Sequence, residues 1–493
     1  MGKILRDSRF WLLLILVLAA FLRFYRLSDY LQFLGDEGRD VLVVKRMIVN
    51  HKFTLLGPTA SVGGFYTGPI YYYFMLPFLW LFQLDPVGPA VMAALFGLAT
   101  IILIYYAGKI FFDEKAGLIA ALLVAISPKM IDISRFSWNP NPVPFFALAA
   151  VVTLYFAAVK KRALWTILSG LSVGVLVQLH YIDLIFIPII GVAMLLVFPW
   201  KEWWKQALLL TMSFLLGNSL FIVFELRHGF PNTRSVIEFI TRKGQTVAPR
   251  SNNLIWLFQD IYRRLFETVL TARGNILNLL AYSSLGIFFG WVIKSVSREN
   301  RIKAILPVVW LIIGIFGVGS YQGTLFDHYF NYLFPLPFLF LGLAGSLLLS
   351  RKYFWPVFLL FLGVIFYMEI PQWYLWHKPN NLVEQTKGVD RVVLALTRNQ
   401  PYNFALITPG NSDQAYRYFL EIWNRPPLTI ENPAIDPQRK TVAGQLVVIC
   451  EGPCAPLGNP LWEVAGFGRA EIAERVTGPV GITIYRLVHY NGT

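Results

Sequence analysis

The feature that most constrains this chain is a series of long, nearly uncharged apolar runs. A helix needs about 20 apolar residues to cross the roughly 30 Å hydrocarbon core of a bilayer. Eleven segments meet this need, near residues 9–27, 87–111, 115–133, 143–159, 163–180, 182–199, 206–225, 276–294, 304–320, 330–349 and 354–370. The sequence therefore predicts a polytopic α-helical membrane protein with about 11 transmembrane helices.

The composition fits a membrane chain and excludes several other classes. Only 14% of the 493 residues are charged, against about 25% in a soluble domain, and two cysteines cannot form a disulfide scaffold. The net charge of +15 suits cytoplasmic loops and phosphate-facing surfaces better than a nucleic-acid-binding face. The sequence has no zinc-type cysteine spacing, no Walker loop and no helix-turn-helix signature. We therefore expect no nucleic-acid partner and no cofactor and name no metal ligand, while the question of whether a metal helps stays open.

The basic residues predict which loops face the cytoplasm, where Lys and Arg concentrate in membrane proteins. Lys3, Arg6 and Arg9 precede the first apolar run, so we expect the amino terminus inside. One set of alternating short loops holds only two basic residues, Lys129 and Arg135, whereas 13 lie in the loops 109–115, 160–162, 201–205, 294–303 and 351–352. The five basic loops are therefore predicted to be cytoplasmic.

Segment 69–84 decides the rest of the topology. It is apolar, but it is short and contains Pro77, and counting it as a crossing would reverse every later loop. We therefore expect it to lie along or dip into the outer interface, which Tyr- and Trp-rich segments prefer. This topology puts loops 28–86 and 226–275 on the extracytoplasmic side, together with everything after residue 370.

Residues 371–493 differ in character from the rest of the chain. They lack long apolar runs, so the sequence predicts a transmembrane domain over 1–370 and an extracytoplasmic soluble α/β domain over 371–493. A helix is expected after Ser412, among short β-like runs at 404–408, 445–450 and 482–488.

Two smaller features of this domain carry predictions. The run TPGNSD from Thr408 is typical of a strand-to-helix turn rather than an anion cradle. Whether Cys450 and Cys454 form a disulfide stays open, because spacing alone does not set the required geometry.

Two acidic residues open the first outer loop and are the strongest candidates for chemistry. Asp36 and Glu37 precede a helix-like segment in which one arc carries Val41, Val43, Val44, Met47 and Ile48 and another carries Arg39, Arg46 and Asn50. Such an amphipathic helix suits the membrane surface. One interpretation is structural, because an acidic residue stabilises a helix start by capping it or by opposing its dipole. The other is a general base at a surface from which lipid partly excludes water.

This pattern resembles a known family. An Asp-Glu pair after the first transmembrane helix, an amphipathic helix and then a Gly-Pro-x-x-Tyr interfacial helix is similar to the polyprenyl-phosphate-dependent glycosyltransferases of the type C fold. The protein O-mannosyltransferase and lipid A aminoarabinose transferase group is nearest in pattern. The resemblance covers residues 1 to about 350. It implies a sugar donor linked to a lipid phosphate, an acceptor hydroxyl on the outer side, and inversion at the anomeric carbon.

The resemblance also assigns roles to the acidic pair. The first-loop aspartate of the family corresponds to Asp36, which would deprotonate the acceptor. Glu37 stands beside it as the second member of the catalytic pair, and we expect it to support Asp36 or to cap the helix.

The chain departs from the family pattern at two places. Where relatives carry an acidic residue before a proline, this chain has Asn141, with Asn139 nearby. Amide side chains weaken a metal-site hypothesis, because hard divalent cations prefer carboxylates. The amides can still hydrogen-bond a sugar hydroxyl. The alternative is that the segment is only a turn. Relatives also carry Lys or His before the proline of the interfacial helix, facing the donor phosphate, and this chain has Thr67-Gly68-Pro69.

Other cations would then have to bind the donor phosphate. Arg135, Arg227 and His228 are the candidates in the outer loops, since arginine matches phosphate with paired donors. The alternative is that these residues meet anionic lipid headgroups. His180, Tyr181 and His328 stand at outer helix ends and are candidate pocket residues, although His and Tyr also anchor helices at the interface.

The sequence leaves three functions open. The first is an integral-membrane glycosyltransferase that moves a sugar from a polyprenyl-phosphate carrier to an envelope lipid, glycan or protein hydroxyl. The second is a transporter or lipid-linked sugar translocase, for which we expect polar groups at mid-membrane and repeat symmetry. The third is an inactive family member that acts as a binding protein. Membrane lipids are partners in each case.

Overall fold

Helices make up most of the computed structural model, which describes residues 7–60, 64–241, 253–271, 273–295, 298–321 and 323–490. Lys3, Arg6 and residues 242–252 of the second outer loop lie outside the described residues. The α-helices of the described part are α1 (Ser8–Phe24), α2 (Gly35–Val49), α3 (Ile70–Leu81), α4 (Val87–Phe111), α5 (Glu114–Ile126), α6 (Pro128–Asp132), α7 (Val143–Lys160), α8 (Ala163–Leu179), α9 (Phe186–Val197), α10 (Trp203–Gly217), α11 (Ser219–His228), α12 (Pro231–Thr241), α13 (Leu254–Val269), α14 (Gly274–Lys294), α15 (Arg298–Gly319), α16 (Pro335–Ser350), α17 (Trp355–Glu369), α18 (Leu382–Thr397), α19 (Gln414–Ile422) and α20 (Trp462–Phe467).

The apolar helices show a multi-pass membrane protein. Among the described residues, five helices are long and apolar enough to cross a bilayer, namely α4, α7, α14, α15 and α17. Two bent pairs raise the number to seven if each pair counts as one span: α10 with α11, at 74°, and the 3-10 helix Asp327–Leu333 with α16, at 53°. The predicted fold class is confirmed, whereas the predicted count of 11 spans is not.

The difference in count has two causes: α1 and α8 have only 17 residues each, and other apolar runs are broken. The run predicted to span 115–133 is divided, because α5 ends at Ile126 and α6 begins at Pro128. Ser127 lies between them, and its hydroxyl accepts the Met130 N–H at 3.3 Å, which caps α6. α3 lies in segment 69–84, which was not counted as a span; it has 12 residues and is about 18 Å long, which is less than the thickness of the hydrocarbon core.

The chain divides into two compact units, and neither is continuous in sequence. The first unit comprises Met1–Tyr25, Phe53–Phe78 and Pro89–Lys378, and the second unit comprises Arg26–Lys52, Leu79–Gly88 and Pro379–Thr493. The boundary at residue 370 stays a prediction. The second unit includes α2, so the segment with Asp36 and Glu37 groups with the carboxy-terminal part of the chain.

In the first unit, small residues let helices pack closely. α5 packs against α1 and α16, and α8 packs against α7 and α10. Ala116, Gly117, Ala120 and Ala121 are buried along α5. Because a lipid environment offers no hydrophobic gain for bringing helices together, close backbone packing through such residues is a main source of association.

The second unit contains a four-stranded sheet. Its strands are β1 (Asn403–Ile407), β2 (Gln445–Cys450), β3 (Ala470–Thr477) and β4 (Thr483–His489), in the spatial order β1-β2-β4-β3. β1 and β2 are parallel, and the other two pairings are antiparallel. Three strands match predicted β-like runs, and α19 matches the predicted helix after Ser412.

Alternating side chains along the inner strands build a core on each face of this sheet. Phe404 and Val447 pack in one cluster with α18 and α19, whereas Ala405 and Val448 pack in another with α20. Because helices pack on both faces of the sheet, every residue of β2 is buried. Cys450, the last residue of β2, forms a disulfide with Cys454, which answers the question that their spacing left open.

Candidate active site

The first turn of α2 carries the predicted base. The side chain of Asp36 is 54% exposed, and its Oδ1 accepts a hydrogen bond from Arg39 Nη1 at 2.9 Å. A spacing of three residues puts both side chains on the same face of the helix. The carboxylate is therefore held by an ion pair and remains accessible to a reactant.

Glu37 caps the amino-terminal end of the same helix. Its side chain is buried, and its Oε2 accepts the backbone N–H of Leu34 at 3.0 Å, which is the acidic half of a capping box. Burial raises the pKa of Glu37 to about 7, and the carboxylates of Asp36 and Asp40 act in the same direction. The structure therefore gives Glu37 the capping role, and its burial argues against direct contact with substrate.

Two further residues of this turn were missed from the sequence. Arg39 also pairs through Nε with Asp40 Oδ1 at 2.8 Å, and Asp40 is completely buried. The guanidinium thus joins an exposed carboxylate to a buried one. The spacing Asp36, Arg39, Asp40 was a signal for this arrangement, because side chains three residues apart on a helix are neighbours.

Titration of Glu37 predicts a pH dependence of stability. Its pKa is raised from 4.5 to about 7 in the folded chain, so the folded state binds the proton more tightly than the unfolded state. The free energy of unfolding should therefore fall as pH rises from about 4.5 to about 7. Glu37→Gln keeps an acceptor for the Leu34 N–H and removes the titration. Thermal unfolding of the full chain in detergent, at about pH 5 and about pH 8, should show a weaker pH dependence in this variant.

Glu471, which is exposed on β3, provides the control for this measurement. Glu471→Gln should keep the pH dependence of the unsubstituted chain. If Glu37→Gln keeps it as well, the carboxyl of Glu37 is not the group responsible.

The other eight predicted site residues belong to the first unit, and three of them lie together. The ring centroid of His180 is 5.1 Å from that of His328, which in turn is 4.7 Å from that of Trp138. The neighbouring Asn139 donates through Nδ2 to the carbonyl oxygen of Leu179. The two histidines, predicted from separate loops, therefore join Asn139 in one cluster at helix ends. His180 Nδ1 accepts the Ile182 N–H at 3.3 Å.

The two asparagines hold backbone in place. Both are buried, and Asn141 Nδ2 donates to the carbonyl oxygen of Phe136 at 2.8 Å. A third amide that the sequence analysis missed, Asn331, donates to the Pro140 carbonyl oxygen at 2.9 Å. These bonds support the turn interpretation of segment 136–142.

Tyr181 and Asn232 both bond the backbone of Tyr66, in the segment before α3. Its hydroxyl donates to the Tyr66 carbonyl oxygen, and its ring lies 4.5 Å from that of Phe65. The Tyr66 N–H donates to Asn232 Oδ1 at 2.9 Å, and Asn232 Nδ2 donates to buried Glu225 at 3.0 Å. Glu225 also accepts backbone N–H groups at the start of α12, so it serves as a cap.

The structure corrects the prediction that Arg135 binds the donor phosphate. Its side chain is buried, and its guanidinium donates to the carbonyl oxygens of Leu22, Arg23 and Tyr25 at 2.8–2.9 Å. The ring of Tyr374 lies 4.3 Å from the guanidinium carbon. Arg135 therefore caps the carboxy-terminal end of α1, which sequence position alone could not distinguish from a phosphate site.

Arg227 and His228 are placed differently. Both are exposed on the last turn of α11. The ring of His228 stacks on that of Phe224 at 4.2 Å, and its Nδ1 lies 2.8 Å from the Phe224 carbonyl oxygen. Within the described ranges, no hydrogen bond or ion pair occupies the guanidinium of Arg227. Both remain candidates for an anionic ligand.

The missing cation before Pro69 has a steric explanation. A Cβ atom on Gly68 would lie 2.2 Å from Cγ of Gln178. Gln178 is buried, and its Nε2 donates to the carbonyl oxygens of Gly174 and Gly217 at 3.2 and 2.8 Å. A long side chain at position 68 would therefore displace a bonded amide. Across the described ranges, no group of three His, Cys, Asp or Glu side chains is arranged to hold a metal ion.

Comparison with solved structures defines the class of fold. ArnT from Cupriavidus metallidurans in the apo state matches with a TM-score of 0.64 and 13% identity over 97% of each chain. The same protein bound to undecaprenyl phosphate matches with a TM-score of 0.62 and 12% identity, over 97% of this chain and 98% of that chain. The chain has the type C fold of membrane glycosyltransferases.

A more distant structure and a family model extend this result. Archaeal oligosaccharyltransferase AglB from Archaeoglobus fulgidus, in complex with an inhibitory peptide and a dolichol-phosphate, matches with a TM-score of 0.50 and 14% identity, over 90% of this chain and 69% of that chain. Residues 67–224 match the model of the dolichyl-phosphate-mannose-protein mannosyltransferase family. No curated protein sequence matches the chain. The resemblance to polyprenyl-phosphate-dependent glycosyltransferases of the type C fold is confirmed.

Proposed function

We propose that this chain is an integral-membrane glycosyltransferase that moves a sugar from a polyprenyl-phosphate carrier to a hydroxyl of an envelope acceptor. The class of donor is supported by the family match over residues 67–224. It is also supported by the lipid phosphates in the solved structures of ArnT and AglB, which are undecaprenyl phosphate and dolichol-phosphate. An envelope acceptor and inversion at the anomeric carbon follow from the family resemblance.

The observation that carries this proposal is the contrast between two adjacent carboxyl groups. Asp36 is exposed and ion-paired, whereas Glu37 is buried and occupied by a backbone N–H. Only the first can reach an acceptor. In the proposed step, Asp36 takes the hydroxyl proton while the acceptor oxygen forms a bond to the anomeric carbon. The bond between that carbon and the phosphate oxygen breaks, and the polyprenyl phosphate leaves with the electron pair.

Several candidate donor-binding residues belong to the first unit. Arg227 and His228 are exposed and suited to an anionic phosphate. His180 and His328, with the neighbouring Tyr181, offer polar and aromatic surfaces of the kind that bind sugars. Asn139 and Asn141 are better explained as part of the turn, because the Nδ2 of each is bonded to backbone.

The topology proposed from the basic loops suits this reaction. With the amino terminus in the cytoplasm, α2 and residues 371–493 lie on the extracytoplasmic side. A lipid-phosphate donor suits that side because the carrier phosphate is itself the leaving group, so the reaction needs no nucleotide.

A transfer assay tests the proposal directly. Purified full chain in detergent would receive polyprenyl-phosphate sugars labelled in the sugar, together with envelope lipid, glycan and protein fractions. We expect label to appear in one fraction, with release of unlabelled polyprenyl phosphate. Donor binding without bond cleavage in any fraction would favour the binding protein. Movement of intact donor across a proteoliposome membrane would favour the translocase.

A further inference from the structure

The helix that carries Asp36 is held by the carboxy-terminal part of the second unit. The N–H of Gly35, the residue before Asp36, donates to Asn411 Oδ1 at 2.9 Å. Further along α2, Lys45 and Arg46 pair with Glu421 of α19 at 3.1 and 2.9 Å. α2 is therefore attached near both of its ends, by the turn before α19 and by α19 itself.

The contact at the start of α2 is too close for side chains. A Cβ atom on Gly35 would lie 2.1 Å from Ser412 Oγ, and one on Gly38 would lie 2.3 Å from the backbone nitrogen of Ala415. The second of these atoms belongs to the backbone, which cannot rotate out of the way as a flexible side chain can. The two glycines therefore allow the first turn of α2 to lie directly on the TPGNSD turn.

The Asn411 amide has a fixed orientation. Its Nδ2 donates to Glu451 Oε1 at 3.0 Å, so its Oδ1 is directed to the N–H groups of Gly35 and Ser412. The Glu451 carboxylate accepts hydrogen bonds from the hydroxyls of Thr408 at 2.7 Å and Tyr416 at 2.8 Å. Glu451 thus aims an amide acceptor at one of the free N–H groups at a helix start.

We infer that Asn411, oriented by Glu451, is a positioning residue for Asp36, and that the carboxy-terminal part of the second unit thereby fixes the position of the proposed base. This inference rests on the proposed function, because it assigns a reason for the position of the proposed base. Its physical basis is that Gly35 and Asp36 are adjacent in one helical turn, so a shift of the first N–H moves the carboxylate. A displacement of about 1 Å can lower a rate by about 100-fold.

The hydrogen-bond pattern allows a test by reversal of donor and acceptor. Asn411→Asp keeps an acceptor for Gly35 but places a second carboxylate against Glu451. Adding Glu451→Gln supplies an amide donor to Asp at position 411, which restores the bond between these two side chains with its direction reversed, while the Gly35 N–H still donates to position 411. We expect Asn411→Ala and Asn411→Asp to lower kcat between about tenfold and 100-fold, with the KM for the donor within about twofold, and the double variant to recover most of the rate.

Two controls make this test specific. Gln438→Ala removes an exposed amide of the same domain and should change nothing. Hydrogen-exchange mass spectrometry on the full chain, over a peptide covering 33–49, should show faster exchange in Asn411→Ala and near-normal exchange in the double variant. A merely stabilising role for Asn411 would lower the unfolding temperature without changing kcat in the folded fraction.

The outcomes separate this inference from the proposed function. If exchange in α2 is unchanged by Asn411→Ala, or if kcat is unchanged while exchange rises, the positioning role is wrong and the proposed function stands. If the unsubstituted chain transfers no sugar from any donor, the proposed function fails and the positioning of a base fails with it. Loss of kcat that the double variant does not recover would also contradict the inference.

Discussion

Replacing Asp36 by asparagine is expected to lower the rate of sugar transfer by about 10²- to 10⁴-fold, the usual contribution of a general base. Asparagine has nearly the same shape but cannot take up the acceptor proton. The substitution removes one exposed ion pair, with Arg39, which contributes only about 0.2–1 kcal/mol to stability. The full chain should therefore express, insert and unfold almost normally, and initial rates with a labelled polyprenyl-phosphate sugar would measure the loss.

Glu37→Gln is the matched control, because it changes the adjacent carboxyl in the same way. The glutamine amide can still accept the Leu34 N–H, and the buried position of Glu37 keeps it from substrate. This variant should keep a rate within about threefold of normal, which is less than 1 kcal/mol in activation free energy. Full activity of Asp36→Asn would end the general-base hypothesis, and a large loss in Glu37→Gln alone would transfer the role to Glu37.

Replacing Arg135 by alanine is expected to cause a large loss of folded protein. The substitution leaves the carbonyl oxygens of Leu22, Arg23 and Tyr25 without their donors. The bonds to Leu22 and Arg23 are buried and the bond to Tyr25 is partly buried. Each buried acceptor left unpaired costs about 1–3 kcal/mol, so the total is at least about 2 kcal/mol. That is a large part of the roughly 5–15 kcal/mol that stabilises a typical folded protein. Size-exclusion chromatography of detergent-solubilised chain after heating would measure it.

Arg227→Ala provides the comparison, since Arg227 is an exposed arginine on α11. Its removal should change the free energy of unfolding by less than about 0.5 kcal/mol, while weakening the use of the donor. Arg135→Lys should fall between the two, because one ammonium cannot match the fork of a guanidinium. Equal heat stability of Arg135→Ala and Arg227→Ala would contradict the capping role of Arg135.

The two arginines show why the sequence predicted the class of fold better than the site. Apolar runs and basic loops reflect the bilayer, which acts on every residue in the same way. They can therefore be recognised in a short stretch of sequence. The task of Arg135 depends on carbonyl groups at the end of α1, 113 positions away in the case of Leu22. The local sequence around an arginine near a predicted helix end is therefore the same whether its side chain faces a phosphate or a helix terminus.

The same distinction applies in the carboxy-terminal part of the second unit. β1, β2 and β4 were predicted because buried strands are rich in β-branched and aromatic residues. β3 was missed, because its sequence AEIAERVT is half polar and it is an edge strand with mostly exposed side chains. Asn411 and Glu451 were not predicted as partners of α2, since only the folded chain brings the TPGNSD turn to Gly35.

The division of the second unit into three separate segments has a consequence for biosynthesis. Gly35 and Asn411 are 376 residues apart, so α2 leaves the ribosome long before its partner exists. At about 5–20 residues per second, the delay is on the order of 20–75 s. During that time the nascent first loop lacks the surface on which its glycines rest, and a chain that stops before β1 never acquires it. Catalytic competence would then appear only when the last segment has been synthesised and has folded, which ties activity to completion of the whole polypeptide.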